Sequence, residues 1–388
     1  MKFFFGCTFM NKKELYTEQQ MVNCLKKYDN ILIYGAGVVA NEVTLRLQRY
    51  GIDYSAVITS GGGGYLHNRR IYKFGECLEK AKISSTVVLI ATREEFHEEI
   101  IKKLNDEGII EYYVVSNRLL QSIQRINGRR FKFQTHIVEH CNLKCKGCYH
   151  FSPLAEEKYL DEKVYERDIK KLGELFWGDI DEVLLLGGEP LLHPNVEDFF
   201  EITRKYVNNE CQVKVLTNGL LLLQKGERFY KSLKKNNVQL WVTKYPVSFD
   251  YSEAEKFAAS YEVELKYFQQ EPVRTLGHQP LDITGSQNYE TNYFGCYRAN
   301  ECIDLKHGKL YTCIIPAEIE AFNKFFNTNL EVCENDYIDI YQVKNKEEIL
   351  EKLERPIPFC RYCNRNKAQC FGAFPWEKTH FSIKEWTV

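Results

Sequence analysis

Residues 141–148 read CNLKCKGC, which places Cys141, Cys145 and Cys148 at C-x3-C-x2-C spacing. Thiolates at such short separations suit a soft metal centre. Structural zinc takes four Cys or His ligands, so this loop would need one more, and His140 and His150 flank it. Thiolates also hold iron–sulfur clusters. A cubane on three cysteines leaves one iron open to a substrate or cofactor. About forty residues further on, LLLGGEPLLHP presents Gly187, Gly188, Glu189 and Pro190. Glycines allow close backbone approach, and a carboxylate is a natural partner for an ammonium group. His193 in this segment reads as the end of a strand and receives no role. A second set comprises Cys296, Cys302 and Cys313, then Cys360, Cys363 and Cys370, with Gly308 suited to the turn of a hairpin, IDLKHGKLYTC. Spacing alone does not separate zinc from iron at this second set.

The chain has 388 residues, 44% hydrophobic and 27% charged, which is globular composition with room for two domains. Its net charge of -1 points to neither nucleic acid nor an anionic membrane surface. The apolar N-terminal patch MKFFFGCTFM is too short for a secretory core, and no apolar run reaches membrane-spanning length. A soluble, cytoplasmic protein is expected. Fourteen cysteines in such a chain favour metal binding or redox work over disulfides, and Cys7, Cys24, Cys77 and Cys211 lie outside the short-spaced groups.

The elements that must position these residues form two α/β series. ILIYGAG is a strand entering a Gly-rich turn, and VVANEVTLRLQRYG continues it as a helix; YSAVIT, STVVLIAT and YYVVS are further strands. This alternation predicts a Rossmann-like parallel sheet over residues 1–120, with a helical linker at 121–131. GAGVVA fits the dinucleotide fingerprint, but the acid expected about twenty residues later is missing where the next strand ends AVITS. A nucleotide or nucleotide-sugar ligand and a purely structural domain both remain open. From residue 132 onward FKFQTHIV, EVLLLG, QVKVLTNG, VQLWVT and VELKYF are strands spaced for βα repeats. They predict a partial (β/α)6 barrel over 132–275, followed by a cysteine-rich extension at 276–388. The three-cysteine loop follows the first barrel strand, on the face where such barrels carry their active sites.

Over residues 132–270 these features resemble the radical S-adenosylmethionine (AdoMet) superfamily. The resemblance rests on Cys141, Cys145 and Cys148 and on the GGEP segment. It implies a [4Fe–4S] cluster on the three cysteines, with AdoMet on the open iron. It also implies AdoMet contacts from Gly187, Gly188, Glu189 and Pro190, from Thr217 and Asn218 in TNG, and from Tyr149 near the adenine. Gly147 stands where the family often has an aromatic residue. The second set is similar to the half-form (twitch) version of the SPASM extension, which implies one auxiliary [4Fe–4S] cluster on Cys296, Cys313, Cys360 and Cys363. Cys302 and Cys370 are then reserve ligands, buried thiols or hydrogen-atom donors. Similarity to alcohol-oxidising members implies oxidation of a carbinol carbon in a sugar, sugar nucleotide or glycan precursor, with Lys244 and Tyr245 as candidates for the base. An external one-electron donor such as flavodoxin or ferredoxin is implied as partner. Epimerisation, peptide modification and a zinc-binding scaffold are the competing readings.

Overall fold

The computed structural model describes residues 13–77, 79, 85–126, 131–296, 298–365 and 369–387; the N-terminal apolar patch, Cys7 and the Cys370 side chain lie outside the described parts. The chain divides into two compact units, residues 1–129 and 130–388.

The first unit contains strands β1 (Glu14–Leu15), β2 (Asn30–Tyr34), β3 (Ala56–Thr59), β4 (Tyr65–Leu66), β5 (Arg69–Lys73), β6 (Thr86–Ile90) and β7 (Tyr112–Val115). Its helices are α1 (Glu18–Leu25), α2 (Val38–Arg49), α3 (His97–Asp106) and α4 (Asn117–Ile126). The sheet order is β1-β7-β6-β2-β3-β5-β4, parallel except for the β4 edge. The central strands β2 and β6 are apolar along almost their whole length because helices cover both faces. Strand order reverses at β2, and a cavity lined by Gly37, Val39, Ala91, Thr92 and Phe96 lies there, outside the carboxyl ends of β2 and β6. Of the segment expected as a helical linker, residues 121–126 belong to helix α4, and 127–130 lie outside the described residues. Leu119 and Ile123, one turn apart, are fully buried in the core of this unit, so the helix is held by packing rather than left between domains.

The second unit begins with β8 (Lys132–Val138) and continues through α5 (Glu162–Phe176), β9 (Glu182–Gly187), α6 (Val196–Tyr206), β10 (Gln212–Thr217), α7 (Glu227–Lys235), β11 (Val238–Val242), α8 (Tyr251–Ala259) and β12 (Leu265–Tyr267). Then follow β13 (Thr275–His278), α9 (Tyr289–Phe294), β14 (Asp304–Lys306), β15 (Lys309–Tyr311), α10 (Ile314–Phe326), β16 (Tyr337–Asp339), α11 (Lys346–Leu353) and β17 (Gln369–Pro375). The main sheet runs β12-β11-β10-β9-β8-β14-β15-β16. Strands β8 to β12 are parallel neighbours in chain order, and β14 joins β8 in parallel on the other side. Six parallel strands therefore lie side by side, the sixth supplied by the C-terminal hairpin.

Helix α5 shows how this frame forms locally. Asp161 caps it by accepting from the Lys163 and Val164 N–H groups, and Trp177 ends it in the left-handed region. Tyr165, Ile169, Leu172 and Phe176 form its buried stripe, and Phe176 stacks on Phe131 at 3.9 Å beside β8. The β14–β15 hairpin turns through His307 and Gly308, both at positive φ (49° and 74°), the signature of a type I′ turn. Among the described residues no helix is long and apolar enough to cross a membrane.

Candidate metal centres

Cys141, Cys145 and Cys148 lie in the loop that leaves β8, beside the ends of β9 and β10. The loop is stitched to β9 by its backbone. Gly188 N–H donates to the Val138 carbonyl at 2.8 Å, and Glu189 N–H donates to the His140 carbonyl at 3.1 Å. A Cβ on Gly188 would stand 2.0 Å from the His140 oxygen and 2.8 Å from the Cys141 nitrogen. The glycine thus permits a close approach of one backbone to another, at the entrance to the cysteine loop.

Glu189 is buried and joins three segments. Its carboxylate accepts from Thr217 Oγ1 at 2.6 Å, Asn218 N–H at 2.8 Å and Leu191 N–H at 3.0 Å. Burial raises its pKa to about 7 against these hydrogen bonds. Pro190 opens the short helical turn that follows. Asn218 Nδ2 donates to Asn142 Oδ1 at 2.7 Å, so the TNG segment is tied to the cysteine loop as well. The sequence-expected residues of β9 and β10 are therefore gathered around the loop, with the Glu189 carboxylate engaged by β10.

Burial pushes the Cys141 thiol up to about 12, reinforced by Glu189, and it also raises the Cys145 and Cys148 thiols. Such thiols ionise only when a cation replaces the proton. Cys145 Sγ accepts from the Trp376 indole N–H at 3.1 Å, and backbone N–H groups of His150, Phe151 and Ser152 face Cys148. His150 Nδ1 is hydrogen-bonded to His136 Nε2 at 2.8 Å, and the His140 ring meets Tyr159 edge-on at 5.2 Å. His193 bonds the Leu160 carbonyl at 3.1 Å, a structural contact. Tyr245 is packed near the three cysteines, and burial drives its phenol well above its ordinary pKa. Lys244 Nζ sits 3.9 Å from the centre of the Tyr267 ring.

The second set converges. Cys296 follows α9, Cys313 caps α10 after the hairpin, and Cys360 and Cys363 belong to the turn at Pro358–Tyr362; all four line one cavity. Asn292 on α9 clamps that turn, its Nδ2 donating to the carbonyls of Cys360 at 2.9 Å and Cys363 at 2.5 Å. Cys313 is pushed well above its ordinary pKa by burial and the neighbouring sulfurs. Burial raises Cys363 to about 12 against the opposing guanidinium of Arg298. Cys302 is not among the residues lining the cavity, and Cys333 sits at a separate turn where its N–H donates to Asp336. Tyr149 turns toward this second set, within the apolar cluster that also holds the four cysteines, and Arg298 lies over its ring at 4.6 Å.

Sequence reasoning passed over one buried charge cluster. His136, Glu139 and Glu318 bring ligand-type atoms within 4.8 Å of one another, but Lys306 Nζ already occupies the position between the carboxylates, 2.6 Å from Glu318 and 3.1 Å from Glu139. Burial drives Glu318 well up, while the Glu318 hydrogen bond and Lys306 outweigh burial and hold Glu139 at about 2. The two carboxyls thus share one proton beside the ammonium. Only the scattered polar residues HIVE and DLKHG signalled this in the sequence.

Residues 135–263 match the model of the Radical SAM superfamily, so the second unit contains a radical SAM domain. Among curated relatives, GTP 3′,8-cyclase of Synechocystis is 35% identical over 115 residues, covering 29% of this chain and 32% of that protein. Molybdenum cofactor biosynthesis protein 1 of Dictyostelium discoideum is 28% identical over 128 residues, covering 29% of this chain and 19% of that protein. The chain thus spans about a third or less of these relatives' length. Among solved structures, BtrN in complex with AdoMet and 2-DOIA aligns over 63% of this chain and 97% of its own, with 13% identity and a TM-score of 0.39. SuiB of Streptococcus suis bound to S-adenosylmethionine aligns over 46% of each chain, with 14% identity and a TM-score of 0.30.

Proposed function

We propose that this chain is a radical SAM oxidoreductase that converts an alcohol of a sugar, sugar nucleotide or glycan precursor to a carbonyl. Cys141, Cys145 and Cys148 would hold a [4Fe–4S] cluster, and Cys296, Cys313, Cys360 and Cys363 an auxiliary one. The donor sets fit: each gathers sulfur ligands, buried where a proton must yield to a cation, and His150 Nδ1 beside the loop is bonded to His136. When bound, the first cluster with AdoMet supplies a hydrogen-abstracting 5′-deoxyadenosyl radical, and the second supplies a one-electron acceptor.

The chain's own residues then have distinct tasks. Gly187, Gly188 and Pro190 shape the backbone that walls the loop, and Glu189, Thr217 and Asn218 fix the ends of β9 and β10 against it for AdoMet. Tyr149 and Arg298 bridge the two cysteine sets, with the guanidinium lining the second cavity. Oxidation removes a hydrogen atom from carbon, a proton from oxygen and one electron, so a second centre near the first is what the chemistry requires. The observation that carries the reading is the convergence of four cysteines on one cavity in the same compact unit as the loop. A flavodoxin- or ferredoxin-type donor would supply the reducing electron.

The test is anaerobic turnover with AdoMet, reductant and a panel of carbinol-deuterated sugars and sugar nucleotides. Deuterium in 5′-deoxyadenosine together with a ketone product is expected from one of them. Product unchanged in mass would move the reading to epimerisation. Uncoupled 5′-deoxyadenosine across the whole panel would remove the sugar assignment.

A further inference from the structure

The segment after β17 runs antiparallel along the cysteine loop. Lys146 N–H donates to the Glu377 carbonyl at 2.9 Å, Thr379 N–H donates to the Lys144 carbonyl at 3.0 Å, and Cys145 pairs with Lys378 in a β-bridge. Lys146 and Glu377 also form an ion pair. Two indoles complete the attachment. The Trp376 N–H reaches Cys145 Sγ at 3.1 Å, and the N–H of buried Trp386 donates to the Cys148 carbonyl at 2.8 Å. The strap is itself anchored, with the main-chain N–H of Trp376 donating to the Arg274 carbonyl at 2.8 Å and Leu281 N–H to the Trp386 carbonyl at 2.7 Å. The ring of Trp376 packs on Tyr245 with centroids 5.8 Å apart.

We infer that residues 376–386 form a strap that sets the redox properties of the centre on the cysteine loop, with Trp376 as the positioning residue whose indole N–H hydrogen-bonds the Cys145 sulfur. This rests on the reading that Cys141, Cys145 and Cys148 hold the AdoMet-binding cluster. A hydrogen bond to a cluster thiolate draws charge from the sulfur, favours the reduced state and so raises the reduction potential. The strap also covers one side of the loop, and solvent access is a second lever on the same potential. Trp386 serves differently, because its bond goes to a main-chain carbonyl and fixes the loop's shape without touching a sulfur.

Two measurements test this on the reconstituted full chain. In wild-type protein carrying 15N-indole tryptophan, pulsed EPR of the reduced cluster signal that responds to AdoMet should show one 15N coupling, lost in Trp376→Phe and kept in Trp386→Phe. An EPR-monitored redox titration should place the same signal at a more negative potential in Trp376→Phe than in wild type or Trp386→Phe. Absence of the coupling in wild type, or an unchanged potential in Trp376→Phe, overturns the strap's role while the AdoMet-responsive signal keeps the cluster reading intact. Absence of any AdoMet-responsive signal in wild type removes both.

Discussion

Gly188→Ala puts the coupling between β9 and the cysteine loop to a quantitative test. The new methyl would lie 2.0 Å from the His140 oxygen, 2.3 Å from its carbon and 2.8 Å from the Cys141 nitrogen, all main-chain atoms. Ordinary contact begins at 3.4 Å, so the two backbones must part by about 1.4 Å (3.4 − 2.0). That movement breaks the Gly188–Val138 and Glu189–His140 hydrogen bonds, at about 1 kcal/mol each. Overpacking adds about 1–3 kcal/mol, giving a total loss of about 3–5 kcal/mol. Since Cys141 immediately follows His140, the first of the proposed sulfur ligands moves with the loop. The expected result is a lower urea midpoint in the metal-free protein and loss of the loop's iron after anaerobic reconstitution. Gly75→Ala is the control, because nothing lies within 4 Å of its Cβ position. Wild-type stability together with full iron content in Gly188→Ala would refute the reasoning.

Other predictions follow from the same geometry. Lys306→Met leaves two buried carboxyls without their ammonium, and urea titration should show a loss of about 3–5 kcal/mol. Burial raises the Glu318 pKa in the folded state, so the stability its proton provides is present at acid pH and is lost as pH rises through that raised value. Glu318→Gln, which cannot ionise, should therefore gain on wild type in unfolding midpoint as pH increases; a pH-independent difference would contradict the assignment. Cys313→Ala should remove about four iron atoms per chain by metal analysis, whereas Cys302→Ala should remove none.

Much of this arrangement was legible in the sequence where local signals agree with the fold. EVLLLG is a buried parallel strand bounded by its own glycines, and it forms β9 over the full length read from the sequence. The His-Gly pair of the hairpin specified its turn because only a tight I′ turn takes two positive-φ residues there. Helix α5 carries equally local signals, its Asp161 cap and the stripe Tyr165, Ile169, Leu172 and Phe176. Residues 121–131 read as a helical linker because polar side chains dominate there, whereas the packing of Leu119 and Ile123 into the core of the first unit is a tertiary contact that local pattern does not show. Trp376 and Trp386 could not have been connected to the cysteines, since the contacts span more than two hundred positions of sequence. Parallel placement of β14 beside β8 is likewise a long-range pairing, invisible to local periodicity.

The central claim is that this chain carries two sulfur-ligated iron centres, one of them on the three-cysteine loop. Iron and acid-labile sulfide per chain, measured after anaerobic reconstitution, test it directly. Wild type should bind about eight of each, and a variant with alanine at Cys141, Cys145 and Cys148 about four. Zinc without labile sulfide in wild type, or undiminished iron in the triple variant, would contradict it.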